Sequence, residues 1–263
     1  MLGATQVGML RALCDHGIRP DLVLGTSIGS INGAFIAADP SSASVERLEQ
    51  IWRTIREEGS LQESLLKQAA RAAKYRTHFM SSKPLRTLID EHLGVQLIED
   101  LAVPFQCVAA HIESSKARWF TSGPIAPALL ASCAVPGVFA PVEIDGQHFL
   151  DGGLVHSIPV GRALALGATE IYVLQVGRVE QGLQVPSKPW EVAAVAFEIA
   201  RRHRYHEEID SVPDDVALHV LPSGSPSTPS ITLIQGSATK MEERAEQAYE
   251  ASSAYLESAL SAG

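Results

Sequence analysis

The sequence has few cysteines and no long apolar run. Its three cysteines, Cys14, Cys107 and Cys133, are far apart and form no Cys-x-x-Cys pair. Neither a disulfide framework nor a zinc site is therefore indicated, and a reducing compartment fits best. No stretch approaches the roughly 18 uninterrupted apolar residues that predict a membrane-spanning helix. We expect a cytoplasmic protein.

Basic residues are also scarce. Lys and Arg number 21 against 30 Asp and Glu, which gives a formal net charge of −9. This balance is unfavourable for a nucleic-acid partner, so we expect none. Apolar residues make up 46% and charged residues 19% of the 263 residues, a composition typical of a folded globular protein.

Helical and extended patterns alternate along the chain. A helical pattern that ends at Gly17 precedes a short apolar run, residues 21–25, and a second helical pattern follows it directly. The alternation predicts an α/β fold, a three-layer α/β/α sandwich with a mostly parallel central sheet. The Pro/Ser-rich stretch 222–230 is too short to mark a linker, so one domain over 1–263 is predicted. Apolar residues of 61–69 belong either to the core or to a mobile lid.

The segment Gly25-Thr26-Ser27-Ile28-Gly29 matches the pattern Gly-x-Ser-x-Gly. It follows a predicted strand and precedes a predicted helix, which is the context that the pattern requires. Gly25 and Gly29 allow a tight turn that presents the Ser27 hydroxyl near the positive end of the helix. The motif predicts a nucleophilic serine, and the alternative is that Ser27 is an ordinary helix N-cap.

A nucleophilic serine needs a base, and the residues leave two kinds open. One is a histidine held by a carboxylate; the candidates in this sequence are His148, His156, His203 and His219. The other is Asp151, which lies 124 residues after Ser27 and precedes Gly152 and Gly153. The two glycines permit a sharp bend that could bring the carboxylate against the hydroxyl, although Asp-Gly is also common in ordinary turns.

Three blocks of the sequence together resemble a known family. They are residues 25–34 (GTSIGSINGA), residues 131–141 (ASCAVPGVFAP) and Asp151-Gly152-Gly153. Their letters, order and spacing resemble those of the patatin-like phospholipases over residues 3–176. Residues 177–263 are predicted to belong to the same domain.

The resemblance implies a function and a set of roles. Patatin-like phospholipases hydrolyse acyl esters of lipids with a Ser-Asp dyad on an α/β sandwich, without a histidine and generally without a metal. Ser27 would then be the nucleophile and Asp151 the base, with no cofactor. The substrate would be a lipid or another acyl ester, and transient contact with a membrane surface would follow.

One departure from the family concerns the oxyanion hole, the set of N–H groups that stabilises the negative oxygen of the intermediate. The family has a first strand and a Gly-Gly-Gly-x-Arg/Lys-Gly loop for this purpose, whereas here Gly3 matches the last glycine of that loop. Gly3 and the N–H of Ile28 remain as predicted donors. Loss of one such donor costs about 10²–10³ in rate in a well-studied protease.

The departure leaves alternatives open. Either the sequence is truncated within this loop, or the chain is a catalytically weakened lipid-binding or regulatory protein of the same fold. A Ser-His-Asp enzyme of the α/β-hydrolase type is a third alternative, but that fold usually places several strands before its nucleophile.

Overall fold

A computed structural model gives the fold, and it describes residues 2–57, 73–75, 77–176, 182–224 and 238–261. The apolar residues of 61–69, expected either in the core or in a lid, lie outside the described residues. The chain divides into two compact units, one of residues 20–155 and the other of residues 1–19 and 156–263. A single domain over 1–263 stays a prediction.

Helices and strands alternate, as the sequence predicts. In chain order the elements are α1 (Leu2–Asp15), β1 (Val23–Thr26), α2 (Ile28–Ala38), α3 (Ser42–Glu57), α4 (Lys83–His92), β2 (Phe105–His111), β3 (Lys116–Phe120), α5 (Ile125–Ser132), β4 (Val142–Ile144), β5 (Gln147–Asp151), α6 (Val160–Ala165), β6 (Glu170–Val173), α7 (Pro189–Asp210), β7 (Ala217–Val220) and α8 (Ala238–Ser261). A short 3-10 helix, Gly152–Leu154, follows β5 directly.

Strand β2 is the centre of the five-stranded sheet in the 20–155 unit. One edge pairs with β3, and the other pairs first with β1, over residues 105–108, and then with β5, over residues 109–111. Strand β4 adds to β5. Because β1 is parallel to β2 whereas β3 and β5 are antiparallel to it, the sheet is mixed, where a mostly parallel one was expected.

Short turns explain the antiparallel pairs β2–β3 and β4–β5, since two strands joined by a few residues must reverse direction. The turn between β4 and β5 consists of Asp145 and Gly146, with φ of 52° and 73°. Positive φ at both positions is typical of the tight hairpin turn that an Asp-Gly pair favours. The sequence predicts this hairpin, because the Asp-Gly pair lies between two extended runs, residues 142–144 and 147–150, and the pairing of β4 with β5 confirms it.

The core of the 20–155 unit lies around β2 and α2. In β2, Cys107, Val108 and Ala109 are fully buried. In α2, Ile31 is fully buried and Phe35 is nearly so. Helix α2 is apolar nearly all round because it is enclosed by its neighbours, as such helices usually are. This packing fixes the helix that begins directly after Ser27.

In the other unit, α1 packs against α8. Met9 and Leu13 of α1 join Leu256 of α8 in a buried apolar cluster. Gly8 allows the helices to approach closely, since a Cβ there would lie 2.0 Å from the carbonyl oxygen of Ala245. Strands β6 and β7 form a parallel pair.

Among the described helices, none combines the length and apolar character needed to cross a membrane.

A surface ion pair links the turn after β2 to strand β5. The Glu113 carboxylate contacts His148 Nδ1 at 2.7 Å, and this hydrogen bond is the main reason why the pKa of Glu113 is lowered from 4.5 to about 2. A carboxylate with a lowered folded-state pKa stabilises the fold above its unfolded pKa, and that contribution is lost as pH falls through the folded one.

We therefore expect Glu113→Gln to lower the melting temperature (Tm) slightly at neutral pH, and the difference from wild type to shrink as pH falls from about 4.5 toward 2. Thermal melts followed by circular dichroism at several pH values would measure it. Glu91→Gln, at an exposed glutamate of α4, is the control. A Tm difference between Glu113→Gln and wild type that stays constant over this pH range would contradict the lowered pKa of Glu113.

Candidate active site

Ser27 lies in a sharp turn between β1 and α2 and has a strained backbone, with φ 53° and ψ −130°. A positive φ is uncommon for a residue other than glycine, and it persists only where the surroundings hold it. The Ser27 side chain makes no capping hydrogen bond to α2, so it is not an ordinary N-cap. The turn presents the hydroxyl instead.

Gly25 makes this turn possible. A Cβ at Gly25 would lie 2.4 Å from the Cα of Ser30, which is far inside van der Waals contact. The missing side chain lets the first turn of α2, which contains Gly29, fold back against β1. This is the physical reason for the glycine two residues before the serine.

Asp151 ends strand β5 and is 1% exposed. Its Oδ2 accepts a hydrogen bond from Ser27 Oγ at 2.6 Å, and its Oδ1 accepts one from the Gly153 N–H at 2.7 Å. The Asp151 N–H donates to the carbonyl oxygen of Ala134 at 2.9 Å. The carboxylate is thus fixed on both oxygens and on its backbone.

The pairing on β2 explains how residues so far apart in sequence meet. Thr26, at the end of β1, lies opposite Val108, and Asp151, at the end of β5, lies opposite Ala109. Strand β1 runs parallel and β5 antiparallel to β2, so their carboxyl ends meet at neighbouring positions on one edge. The hydroxyl of Ser27 reaches Asp151 from there.

Gly152 allows the chain to leave this edge. A Cβ at Gly152 would lie 2.2 Å from the carbonyl oxygen of Val108, so only glycine fits without a shift of the backbone. Both glycines after Asp151 therefore have a structural role: Gly152 avoids a clash with β2, and the Gly153 N–H holds the Asp151 carboxylate.

The Cys133 thiol is buried close enough to Asp151 to feel its charge. Burial, and secondarily the Asp151 charge, raises the pKa of the Cys133 thiol well above its usual value. Burial also raises the pKa of the Cys107 thiol. Both cysteines are therefore neutral thiols and poor nucleophiles at physiological pH.

The four histidines considered as bases pair with other groups. Their partners are Glu113 for His148 at 2.7 Å, Glu208 for His156 at 2.8 Å, Glu207 for His203 at 3.5 Å and the Tyr255 hydroxyl for His219 at 3.2 Å. Of the two kinds of base that the residues left open, the structure brings the carboxylate of Asp151 to Ser27.

The two predicted oxyanion donors lie at helix starts. Ile28 is the first residue of α2, where backbone N–H groups lack partners within the helix and the helix dipole is positive. Gly3 lies in the first turn of α1, in the other unit. Their role as donors stays a prediction.

Two serines contact the elbow, which is the sharp turn of residues 25–29 that presents Ser27. Neither serine was predicted as a site residue. Ser132 Oγ accepts the Ser27 N–H at 3.0 Å, and Ser30 Oγ donates to the Ser27 carbonyl at 2.6 Å. Both are fully buried. The available signal was a serine at the end of an otherwise apolar helical run, Ala126 to Ser132, because a buried hydroxyl needs a hydrogen-bond partner.

The model of the patatin-like phospholipase family matches residues 1–164. A patatin-like phospholipase domain-containing protein of Caenorhabditis elegans is 34% identical over 181 residues, which cover 68% of this chain and 13% of that protein. Lysophospholipase NTE1 of Phaeosphaeria nodorum is 31% identical over 180 residues, 68% of this chain and 11% of its own.

An uncharacterized NTE family protein of Mycobacterium tuberculosis is 25% identical over 187 residues, 71% of this chain and 49% of its own length. The chain thus spans between 11% and 49% of these three relatives. The patatin fold is a three-layer α/β/α sandwich, with which the mixed sheet and flanking helices agree. The family model matches more than half of the chain, and the sharp turn at Ser27 with the buried Asp151 carboxylate beside it agrees with that match. This chain therefore belongs to the patatin-like phospholipase family.

Proposed function

We propose that this chain hydrolyses carboxylic ester bonds of lipids through an acyl-enzyme on Ser27, with Asp151 as the general base. The observation that carries the proposal is the 2.6 Å hydrogen bond from Ser27 Oγ to Asp151 Oδ2. Membership of a phospholipase family and the similarity to a lysophospholipase support the choice of lipid esters.

Acylation begins when the Ser27 Oγ attacks the ester carbonyl carbon while Asp151 takes its proton. The carbonyl electron pair moves onto the oxygen, which forms a tetrahedral intermediate with one negative charge. Collapse of the intermediate re-forms the carbonyl and breaks the bond to the alcohol, which leaves with the proton from Asp151. The acyl group is then an ester of Ser27.

Deacylation repeats these steps with water as the nucleophile. Asp151 accepts a proton from the water as its oxygen attacks the acyl carbon, and it returns the proton to Ser27 when the second intermediate collapses. The products are a fatty acid and the free enzyme.

The proposal assigns the negative oxygen to the start of α2. The N–H of Ile28 and the positive helix end would stabilise it. Asp151 is 1% exposed, and hydrogen bonds from Ser27 Oγ and the Gly153 N–H hold its two carboxylate oxygens. The carboxylate is therefore positioned to take the Ser27 proton away from bulk water.

The substrate class has a consequence for partners. Long-chain lipid esters are held in membranes or micelles, so the proposal includes transient contact with such a surface. A cytoplasmic location remains part of this proposal.

A fluorophosphonate probe tests the proposed nucleophile. An activated serine displaces fluoride from the probe and keeps the phosphonyl group, so intact mass spectrometry is expected to show one adduct on the wild-type chain. The Ser27→Ala variant is expected to show none, and Ser122→Ala, at an exposed serine of the same unit, should label like wild type.

Absence of the adduct on a wild-type chain that circular dichroism shows to be folded would overturn the proposal. That result would favour a lipid-binding protein of the same fold. An adduct on Ser27→Ala would place the reactive serine elsewhere and would overturn it as well.

A further inference from the structure

We infer that Ser132 is a positioning residue for Ser27, an inference that rests on the proposed function. Its hydroxyl oxygen holds the backbone of the nucleophile in the strained conformation that aims the side chain at Asp151. Ser132 contacts no reacting atom in this scheme and acts through the Ser27 peptide group.

The first observation is the hydrogen bonding of the elbow itself. The Ser27 N–H donates to Ser132 Oγ at 3.0 Å, and the Ser27 carbonyl accepts from Ser30 N at 2.8 Å and Ser30 Oγ at 2.6 Å. The peptide groups on both sides of the strained residue are therefore held. A strained backbone persists only under such constraint, and of these contacts only Ser132 comes from a distant part of the chain.

The second observation is that Ser132 is placed rigidly. It is 0% exposed and is the last residue of α5, a helix whose Ile125 and Leu129 are buried in the core of the same unit. A hydroxyl on a packed helix end gives a more constant position than one on an exposed loop.

The third observation is that the segment directly after Ser132 also holds Asp151, the proposed base. Two residues after Ser132, the carbonyl oxygen of Ala134 accepts the Asp151 N–H at 2.9 Å. The segment 132–134 thus contacts the backbones of both Ser27 and Asp151, and it sets their relative position. A shift of about 1 Å in a reacting group can cost 10²-fold in rate, so this contact has leverage on catalysis.

The test uses Ser132→Ala, which fits the space, and Ser132→Cys, which keeps nearly the same volume but offers a weak acceptor. We expect both variants to lower kcat for 4-nitrophenyl butyrate, and the rate of fluorophosphonate labelling at Ser27, by about 10- to 100-fold. KM and the pH at which kcat is half-maximal should stay at the wild-type values, because Asp151 remains the base.

Ser44→Ala is the matched control. Ser44 is also buried, and its hydroxyl donates to the carbonyl oxygen of Phe35 at the far end of α2. The control therefore loses one buried hydrogen bond to the same helix without touching the elbow. It should keep the wild-type labelling rate even where its Tm falls as much as that of Ser132→Ala.

Wild-type labelling of Ser27 in both Ser132 variants would overturn the inference and leave the proposed function standing. An equal loss of rate in Ser44→Ala and Ser132→Ala would also overturn it, because the effect would then be general loosening of the fold. A folded wild-type chain that takes no label would overturn the proposed function, and the inference with it.

Discussion

Ester hydrolysis is expected to fall by at least about 10³-fold in Ser27→Ala and by a similar factor in Asp151→Asn. The alanine removes the proposed nucleophile. The asparagine keeps the size of the aspartate and can still accept the Gly153 N–H, but its amide cannot take the proton of Ser27. Each change removes a step that the other residue cannot perform alone.

The double variant should therefore be little slower than either single variant, since residues that act as a unit show strongly non-additive effects. Release of 4-nitrophenol from 4-nitrophenyl butyrate, and of fatty acid from lysophosphatidylcholine, would measure all three. Asp100→Asn, at an exposed aspartate of the same unit, is the control. Near-normal turnover by folded Asp151→Asn would show that the base lies elsewhere.

Gly152→Ala is expected to destabilise the fold by about 3 kcal/mol or more, and to lower the Tm by roughly 6–12 °C. The added Cβ would lie 2.2 Å from the Val108 carbonyl oxygen and 2.9 Å from its Cγ1. Because the nearest atom belongs to the backbone of a buried central strand, no side-chain rotation can relieve the clash.

Gly161→Ala adds the same methyl group where the nearest atom, Glu208 Oε2, would be 3.5 Å away. This ordinary contact makes it the matched control, and its Tm should stay close to wild type. Thermal denaturation followed by circular dichroism would compare the two. Equal Tm values for both variants would mean that the β2 backbone is not as constrained as its packing indicates.

Local features of the sequence predicted the local parts of the site. The Gly-x-Ser-x-Gly pattern predicted the sharp turn that presents Ser27, and Asp145-Gly146 predicted the hairpin that leads to Asp151. Both signals depend on residues that are neighbours in sequence. The structure confirms these two local elements.

Contacts between residues far apart in the sequence could not be predicted from such local signals. The residues alone left His156 and other histidines open beside Asp151, because the contact depends on how β1 and β5 pair with β2. The bond from Ser27 to Ser132 joins residues 105 positions apart and has no local pattern. The five-stranded sheet is mixed rather than mostly parallel for the same reason, since the alternation of elements does not say which strands become neighbours.

The position of Ser27 and Asp151 along β2 also bears on where this chain tolerates insertions. Ser27 and Asp151 lie 124 positions apart in the sequence. Strand β1 ends one residue before Ser27 and β5 ends at Asp151, and the two strand ends lie opposite adjacent residues of β2, Val108 and Ala109, a step of about 3.3 Å along that strand. The spacing of the two strand ends is therefore set by the repeat of β2. Insertions in the exposed turn of residues 112–115 should leave this spacing unchanged, whereas one extra residue within β2 would move Ser27 away from Asp151.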